Sequence, residues 1–338
     1  MTEPYYSNKW VTIYNIDCLE GLKNTPDSSI DLIATDPPYN IRKDTWDTIP
    51  NYIEWSGQCF LEYQRVLRAN GSFYFFHNNI PTISQLVVWL QQNTKFIFKQ
   101  FIVWNKRFDD APNKGFLDGF VVVDGLRNYQ QMAEYCLFYT FQDETGLTTV
   151  MLDTNNFPTL RLYFKTLQTH IGLSKKLIVD IIGQCADHAF RWESSQWGLP
   201  TKDTYRVLTR TFNLTNWEYF REYESLRREY ESLRYVFNNQ KTHHSVWNYP
   251  IADRVNGHST PKPVALIDNI LRHSSNNESV ILDPFLGTGA TAIASMRLNR
   301  RCIGFEIEEK YCEITALRCT QEEVRLEALE SNRRQPTE

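Results

Sequence analysis

The chain has 338 residues, 42% hydrophobic and 22% charged, with a formal net charge of −4. These are ordinary values for a globular protein, and the acidic balance excludes a generic polyanion binder. No apolar run approaches the roughly 18 residues of a membrane span. The opening MTEPYYSNKW lacks a signal-peptide pattern. The seven cysteines contain no C-x-x-C pair, so reduced thiols in a cytoplasmic protein are expected, with no metal site and no membrane attachment.

Residues 10–140 alternate strand-like and amphipathic runs. SIDLIAT (29–35), GSFYFFH (71–77), FIFKQFIVWNK (96–106) and AEYCLFYT (133–140) are short, aromatic and β-branched, which predicts strands. Between the first two, Ile53, Phe60, Leu61, Val66 and Leu67 recur at helical spacing, and Asn70-Gly71 reads as a helix stop. Strand, helix, strand implies a βαβ unit in a parallel sheet, and the last two strands suggest an antiparallel pair at its edge.

Residues 141–160 are polar and show little periodicity. From 159 to 184 the pattern is a helix, a turn at His170-Ile171-Gly172, and a second helix capped by Ser174. That is helix-turn-helix-like, a pattern that an ordinary helical hairpin also gives. REYESLR then occurs twice, at 221–227 and 228–234, behind a capping-box-like Thr215-Asn216-Trp217-Glu218. This predicts a helix over about 216–237, with Tyr223/Tyr230 and Leu226/Leu233 on one stripe. Residues 161–241 hold 13 Lys/Arg against 9 Asp/Glu, a local +4 that leaves −8 on the rest. A basic segment on an acidic body suits a local nucleic-acid contact, chance unevenness being the plain alternative. NNQKTHHSVWNYP (238–250) reads as a loop, and its two adjacent histidines lack an acid or Cys partner for a metal.

From 258 the α/β texture returns. TPKPVALIDNILRHSS (260–275) is an amphipathic helix behind prolines, and SVILDPFLGTGATAIASMRL (279–298) is strand, glycine turn, helix. RCIGFEI (301–307) is the next strand, and a last helix over about 308–329 leads into a polar tail, SNRRQPTE. Gly287 and Gly289 let backbone approach a ligand at the carboxyl edge of a parallel strand. Glu306 ends the following strand, about 20 residues on, where an acid can bind ribose hydroxyls. TDPPYN (35–40) ends another such strand. Two prolines fix φ and remove two donors there. An Asp carboxylate, a proline carbonyl and an aromatic face can together hold a planar exocyclic amine.

TDPPYN resembles the catalytic motif of the amino-methyltransferases that modify adenine N6 or cytosine N4 in DNA, and DPFLGTGAT resembles their S-adenosylmethionine loop. HSTPKP (258–263) and NIDCLEGL (15–22) resemble the segments that precede the loop and the catalytic strand. The order, catalytic half first and cofactor half last, matches their permuted beta group. The resemblance covers about 10–140 and 246–320. It implies a Rossmann-like S-adenosylmethionine-dependent methyltransferase fold, α/β, with a mostly parallel sheet, an antiparallel edge strand and a helical insert. The halves would be 1–145 (catalytic) and 246–330 (cofactor), with a target-recognition insert at 146–245 and a tail at 331–338.

By the same resemblance, Asp36 and the Pro37 carbonyl would accept from the target amine. Pro38 would stiffen the turn, Tyr39 would stack on the base, and Asn40 would support the loop. Asp283, Phe285, Gly287, Gly289 and Thr291 would surround the cofactor's methionine part, and Glu306 would hold the ribose. Asp17 and Cys18 would meet the adenine, and Lys262 the cofactor carboxylate, with His258 and Pro263 shaping that wall. The implied reaction transfers the methyl of S-adenosyl-L-methionine to adenine N6 in a flipped-out base of double-stranded DNA. Asp at the head of the motif favours adenine over cytosine N4. RNA or a protein amide is disfavoured by the acid and the permuted order. A non-catalytic DNA-binding module with a decayed cofactor site is disfavoured by the intact glycines, Glu306 and Asp36. No nuclease motif is evident in the chain, so a cognate restriction nuclease would be a separate protein, and whether there is one stays open. Oligomeric state stays open, a homodimer being frequent among related enzymes.

Overall fold

A computed structural model describes residues 3–41, 47–108, 132–141, 157–194, 196–233, 237, 244–252 and 261–334. The chain divides into two compact units, 1–144 with 236–338, and 145–235. Among the described residues no helix is long and apolar enough to cross a membrane.

The first unit begins with β1 (Tyr6–Ser7), β2 (Val11–Asn15), α1 (Cys18–Lys23), β3 (Ile30–Thr35), α2 (Tyr52–Val66), β4 (Leu67–His77), α3 (Ile80–Asn93), β5 (Ile97–Asn105) and β6 (Ala133–Thr140). The second unit holds α4 (Pro158–Ile171), α5 (Lys175–Ile182), α6 (Lys202–Thr211) and α7 (Tyr223–Leu233). The first unit resumes with β7 (Val246–Asn248), α8 (Val264–Ser274), β8 (Val280–Asp283), α9 (Ala290–Arg297), β9 (Arg301–Glu306) and α10 (Glu309–Arg334).

Among the described residues, nine strands form one sheet in the order β1-β2-β9-β8-β3-β4-β6-β5-β7. From β2 to β4 every pairing is parallel. β6 runs antiparallel to both β4 and β5, and β7 pairs parallel to β5. Side chains alternate across the sheet. Phe73 and Phe75 of β4 pack with Phe60, Tyr63 and Leu86 from α2 and α3. Tyr74 faces the other way, stacks on Phe138 at 4.3 Å and bonds Ser274 of α8 at 2.7 Å. A separate cluster joins Val11 and Ile13 of β2 to Ile293 and Met296 of α9 and Cys312 and Cys319 of α10. The sheet is therefore helix-covered on both faces, which buries its parallel strands.

β3 and β8 are hydrogen-bonded neighbours, with Leu32 opposite Ile281 and Ile33 opposite Leu282. The chain leaves β3 toward β4 and leaves β8 toward β9, on opposite sides. Connections that diverge from adjacent parallel strands open a crevice at their carboxyl ends. TDPPYN and DPFLGTGAT are the two segments that border it.

The local expectations fail in four places. Asn70-Gly71 does not stop α2, which already ends at Val66. Gly71 lies inside β4 beside an irregular register with β3, where an added Cβ would sit 2.9 Å from Arg68 O and 3.1 Å from Asp31 O. The glycine marks a close backbone approach there, not a cap. The repeat helix starts at Tyr223, because Leu214–Asn216 form a short 3-10 turn and Trp217 is extended and buried. Val246–Asn248, within the expected loop, forms a strand on β5. The last helix runs on to Arg334, through the start of the expected tail.

In the second unit, α4 closes on Gly172, a left-handed residue (φ 73°), and the Ser174 hydroxyl caps α5 by accepting from Leu177 N at 3.4 Å. Its own core gathers Leu160, Phe164, Leu167, Trp197, Leu208 and Leu226. This unit buries enough apolar surface to have a core of its own.

Candidate active site

Ionisable side chains gather along one edge of the sheet, among them seven charged groups that enclose one cavity. Asp17 follows β2, Asp36 follows β3, Lys106 follows β5, Glu134 opens the antiparallel β6, Asp283 ends β8 and Glu306 ends β9, while Lys262 precedes α8. All seven line a cavity of about 690 Å3.

The catalytic turn is fixed by bonds at each residue. Thr35 Oγ1 donates to Asp283 Oδ1 at 2.9 Å, joining the two motifs across 248 positions of sequence. Tyr52 Oη donates to the Pro38 carbonyl at 2.7 Å, whereas no described residue donates to the Pro37 carbonyl. Asn40, with φ 55°, donates its N–H to Asp47 Oδ1 at 2.7 Å and accepts from Ile49 N at 2.8 Å, closing the loop behind the prolines. Tyr39 Oη donates to Asp36 Oδ1 at 2.6 Å, and its ring stacks on His77 at 4.7 Å. Burial, with Asp36 and Glu134 alongside, pushes the Tyr39 phenol well up, so it remains a donor. Burial drops His77 to about 4, so that ring is neutral.

On the other side, Asp283 accepts from Thr35 Oγ1, from Phe285 N at 3.1 Å and from Thr291 Oγ1 at 2.6 Å. Its carboxyl is occupied in holding the crevice together. Burial lifts it to about 6 against the pull of those donors. Glu306 accepts from Gly287 N at 2.8 Å and Glu308 N at 2.9 Å, one bond on each oxygen. A carboxylate oxygen has two lone pairs, so each keeps acceptor capacity. Burial raises this carboxyl as well. Asp17 caps α1 through Oδ1, accepting from Leu19 N at 2.9 Å and Glu20 N at 3.3 Å. Cys18, Phe285, Gly287 and Thr291 also line the cavity.

Three expected residues are placed differently. Gly289 does not line the cavity. It caps α9 with φ 81°, and an added Cβ would sit 2.4 Å from Thr315 Cγ2. Pro263 caps α8 without reaching the cavity wall, where Pro261 stands instead. Lys262 points at the catalytic turn, bonding Asp36 Oδ2 and lying 3.3 Å from Tyr39 Oη and from Glu134 Oε2. His258 lies outside the described residues. The motif reading passed over Lys106, Glu134 and His77. His77 ends β4 and Lys106 follows β5 at strand ends that meet this edge, as Asp36 does, whereas Glu134 stands at the start of β6 and reaches the edge only because that strand is antiparallel.

An open α/β sheet with an acid-lined crevice at its switch point is the arrangement in which enzymes of this class hold a nucleotide cofactor. The N6_N4_Mtase family, described as DNA methylase, matches residues 30–317. The chain belongs to that family and is a DNA methyltransferase with S-adenosyl-L-methionine as methyl donor. It is similar to the DNA adenine methyltransferase YhdJ of Escherichia coli, 27% identical over 91% of this chain and 82% of that protein. It is similar to Type II methyltransferase M.HinfI of Haemophilus influenzae, 26% identical over 91% and 67%. It is also similar to Type II methyltransferase M1.MboII of Moraxella bovis, 25% identical over 88% and 92%. Among solved structures the PvuII DNA methyltransferase (cytosine-N4-specific) shares the fold, with a TM-score of 0.54 and 14% identity over 93% of this chain and 88% of that one.

The donor set fits S-adenosylmethionine. Glu306 offers spare lone pairs at the wall for a ribose diol, Asp17 offers a second carboxylate, and Ile16, Trp55, Phe285 and Tyr311 supply apolar wall between them.

Proposed function

We propose that the chain methylates the exocyclic N6 of adenine at specific sites in double-stranded DNA, with the target base flipped into the cavity. The observation that carries this reading is the pairing of Asp36 with a Pro37 carbonyl to which no described residue donates, at the crevice, on a turn locked by Tyr52, Asp47 and Thr35.

When bound, S-adenosylmethionine supplies an electrophilic methyl group. The side chains do the rest. An aromatic amine is a poor nucleophile because its lone pair is delocalised into the ring. Asp36 and the Pro37 carbonyl accept its two N–H bonds, which favours a pyramidal nitrogen and returns electron density to it. Fixed acceptors in a water-poor site need no reorganisation as charge develops. Asp36 is also placed to take the proton the nitrogen sheds. Flipping the base costs a few kcal/mol, and stacking on Tyr39 offsets part of it. His77, stacked on the other face of that ring, holds its plane.

Adenine is favoured by the acid that opens the motif and by the relative named as an adenine methyltransferase. Cytosine N4 is the second reading, since the PvuII enzyme of the same fold is cytosine-N4-specific. We assign sequence recognition to the insert at 146–245, with its basic stretch. Several relatives are named Type II methyltransferases, which supports a separate cognate nuclease. A homodimer is the assembly to look for by sedimentation. Single-molecule sequencing of DNA from cells that express the protein tests the main reading. N6-methyladenine in one short motif is expected, and N4-methylcytosine would overturn the choice of base. Asp36→Ala should abolish transfer while calorimetry still shows cofactor binding. A variant that methylates at the wild-type rate would sink the assignment.

A further inference from the structure

Glu134 is buried at the start of β6 and belongs to no motif of the catalytic turn or the cofactor loop. Its Oε1 accepts from Lys106 Nζ, and its Oε2 lies 3.3 Å from both Lys262 Nζ and Tyr39 Oη. Lys262 bonds Asp36 Oδ2, and Tyr39 Oη donates to Asp36 Oδ1 at 2.6 Å. Both side chains that donate to Asp36 are thus also in contact with Glu134.

Lys262 has little freedom to leave. Its ammonium lies 5.4 Å from the ring centre of Phe76, 5.5 Å from Tyr39 and 5.7 Å from Trp104, and its side chain is 7% exposed. In such a cage a cation keeps whatever anions it faces. It faces two, and with Lys106 the group holds two ammoniums and two carboxylates. An ammonium shared between two carboxylates neutralises each only in part. If Glu134 lost its charge, both lysines would depend on Asp36. The carboxylate that must accept from the target amine would then be neutralised by both cations, which weakens it as an acceptor.

We propose that Glu134 is a positioning residue for methyl transfer: by sharing Lys262 and Tyr39 with Asp36, it fixes the Asp36 carboxylate in the crevice and preserves its capacity to accept from the amine. This rests on the reading of Asp36 as the amine's acceptor. A purely structural Glu134 would act alike on all steps and at all pH values.

The groups that face Lys262 are Asp36 and Tyr39 of the turn, His77 at the end of β4, Lys106 after β5, and Glu134 and Cys136 on β6. His77 is neutral above about 4 and burial holds the Cys136 thiol protonated, so neither changes charge near neutrality. Burial lowers the Lys262 ammonium, but Asp36 and Glu134 outweigh it and raise it overall. Without Glu134 it releases its proton at lower pH, which would unload Asp36.

The experiment is steady-state methyl transfer to DNA by the full chain carrying Glu134→Gln, with cofactor affinity measured by calorimetry. We expect kcat to fall by about 30-fold, the equivalent of about 2 kcal/mol, with KM for DNA and cofactor affinity within threefold of wild type. The variant's kcat should climb with pH on the alkaline side while the wild type stays flat, and Glu134→Asp should recover part of the loss, leaving kcat several-fold below wild type. A folded Glu134→Gln variant with kcat within twofold of wild type overturns the proposal. So does a loss that tracks cofactor affinity, or one that pH leaves unchanged. If the glutamine variant does not fold, Glu134→Asp alone decides: retracting the carboxylate should lower kcat several-fold at constant KM, and an unchanged kcat overturns the proposal. If wild type transfers no methyl to DNA, or Asp36→Ala stays active, the functional reading itself fails, whatever the Glu134 variants do.

Discussion

Asp283 does two jobs that pull against each other. It closes the crevice by accepting from Thr35, Phe285 N and Thr291, and it does so at full burial, with its carboxyl lifted to about 6. The unfolded chain releases that proton near 4. Between those values the native state binds more protons than the unfolded one. This group's contribution to stability is therefore fully present below about pH 4 and is lost as pH rises through 6, a change on the order of 3 kcal/mol. Asp283→Asn should flatten the urea-unfolding stability between pH 4 and 7 relative to wild type; an identical slope would refute this origin. Gly289 is equally committed. Its φ is 81°, and an added Cβ would meet Thr315 Cγ2 at 2.4 Å. Gly289→Ala should therefore cost about 2 kcal/mol. A lower melting temperature with the fold retained is the expected reading. This glycine was legible in the sequence as part of a cofactor turn, and the structure shows it capping α9 tight against Thr315. Sequence motifs mark which residues cluster and do not separate those that touch a ligand from those that hold the wall.

At the level of elements, the strands were legible because aromatic and β-branched runs are intrinsically extended, and AEYCLFYT matches β6 residue for residue. The α4–α5 hairpin was equally clear, since Gly172 and Ser174 are local signals that need no tertiary context. What escaped reading depended on partners distant in sequence. Gly71 looked like a cap because its crowding against Asp31 O is invisible along the chain. β7 is three residues long and exists through its pairing with β5. Lys106 and Glu134 were hidden for the same reason: their meaning comes from antiparallel neighbours that bring both to the crevice. The tandem repeat is half solved by its helix. Leu226 is fully buried in the core of the second unit, and Tyr230 stacks on Phe157 at 4.7 Å. Leu226→Ala should therefore destabilise that unit by about 2–5 kcal/mol, read as an earlier denaturant transition. A neutral result would mean that the helix is not anchored by its stripe.

At the scale of the whole molecule, the proposed function assigns chemistry to the sheet unit and sequence recognition to the unit at 145–235. Exchanging 157–233 for the corresponding segment of a relative should move methylation to another sequence while leaving the methyl-donor affinity intact. Unaltered sites, mapped by sequencing, would refute the assignment of recognition to the insert. The basic stretch within 161–241 also predicts DNA affinity that falls steeply with added salt, and a flat response would argue against phosphate contacts there.

The adjacency of β3 and β8 has a temporal side. During synthesis, β3 is made some 250 residues before its neighbour. Until β8 exists, one edge of β3 carries unpaired N–H and C=O groups, a template for wrong pairing. The central contact of the sheet is also among its longest-range ones, and such contacts form slowly. The growing chain thus spends most of its translation with half a crevice and an open seam, and the last strands turn the protein at once into a continuous sheet and into an enzyme.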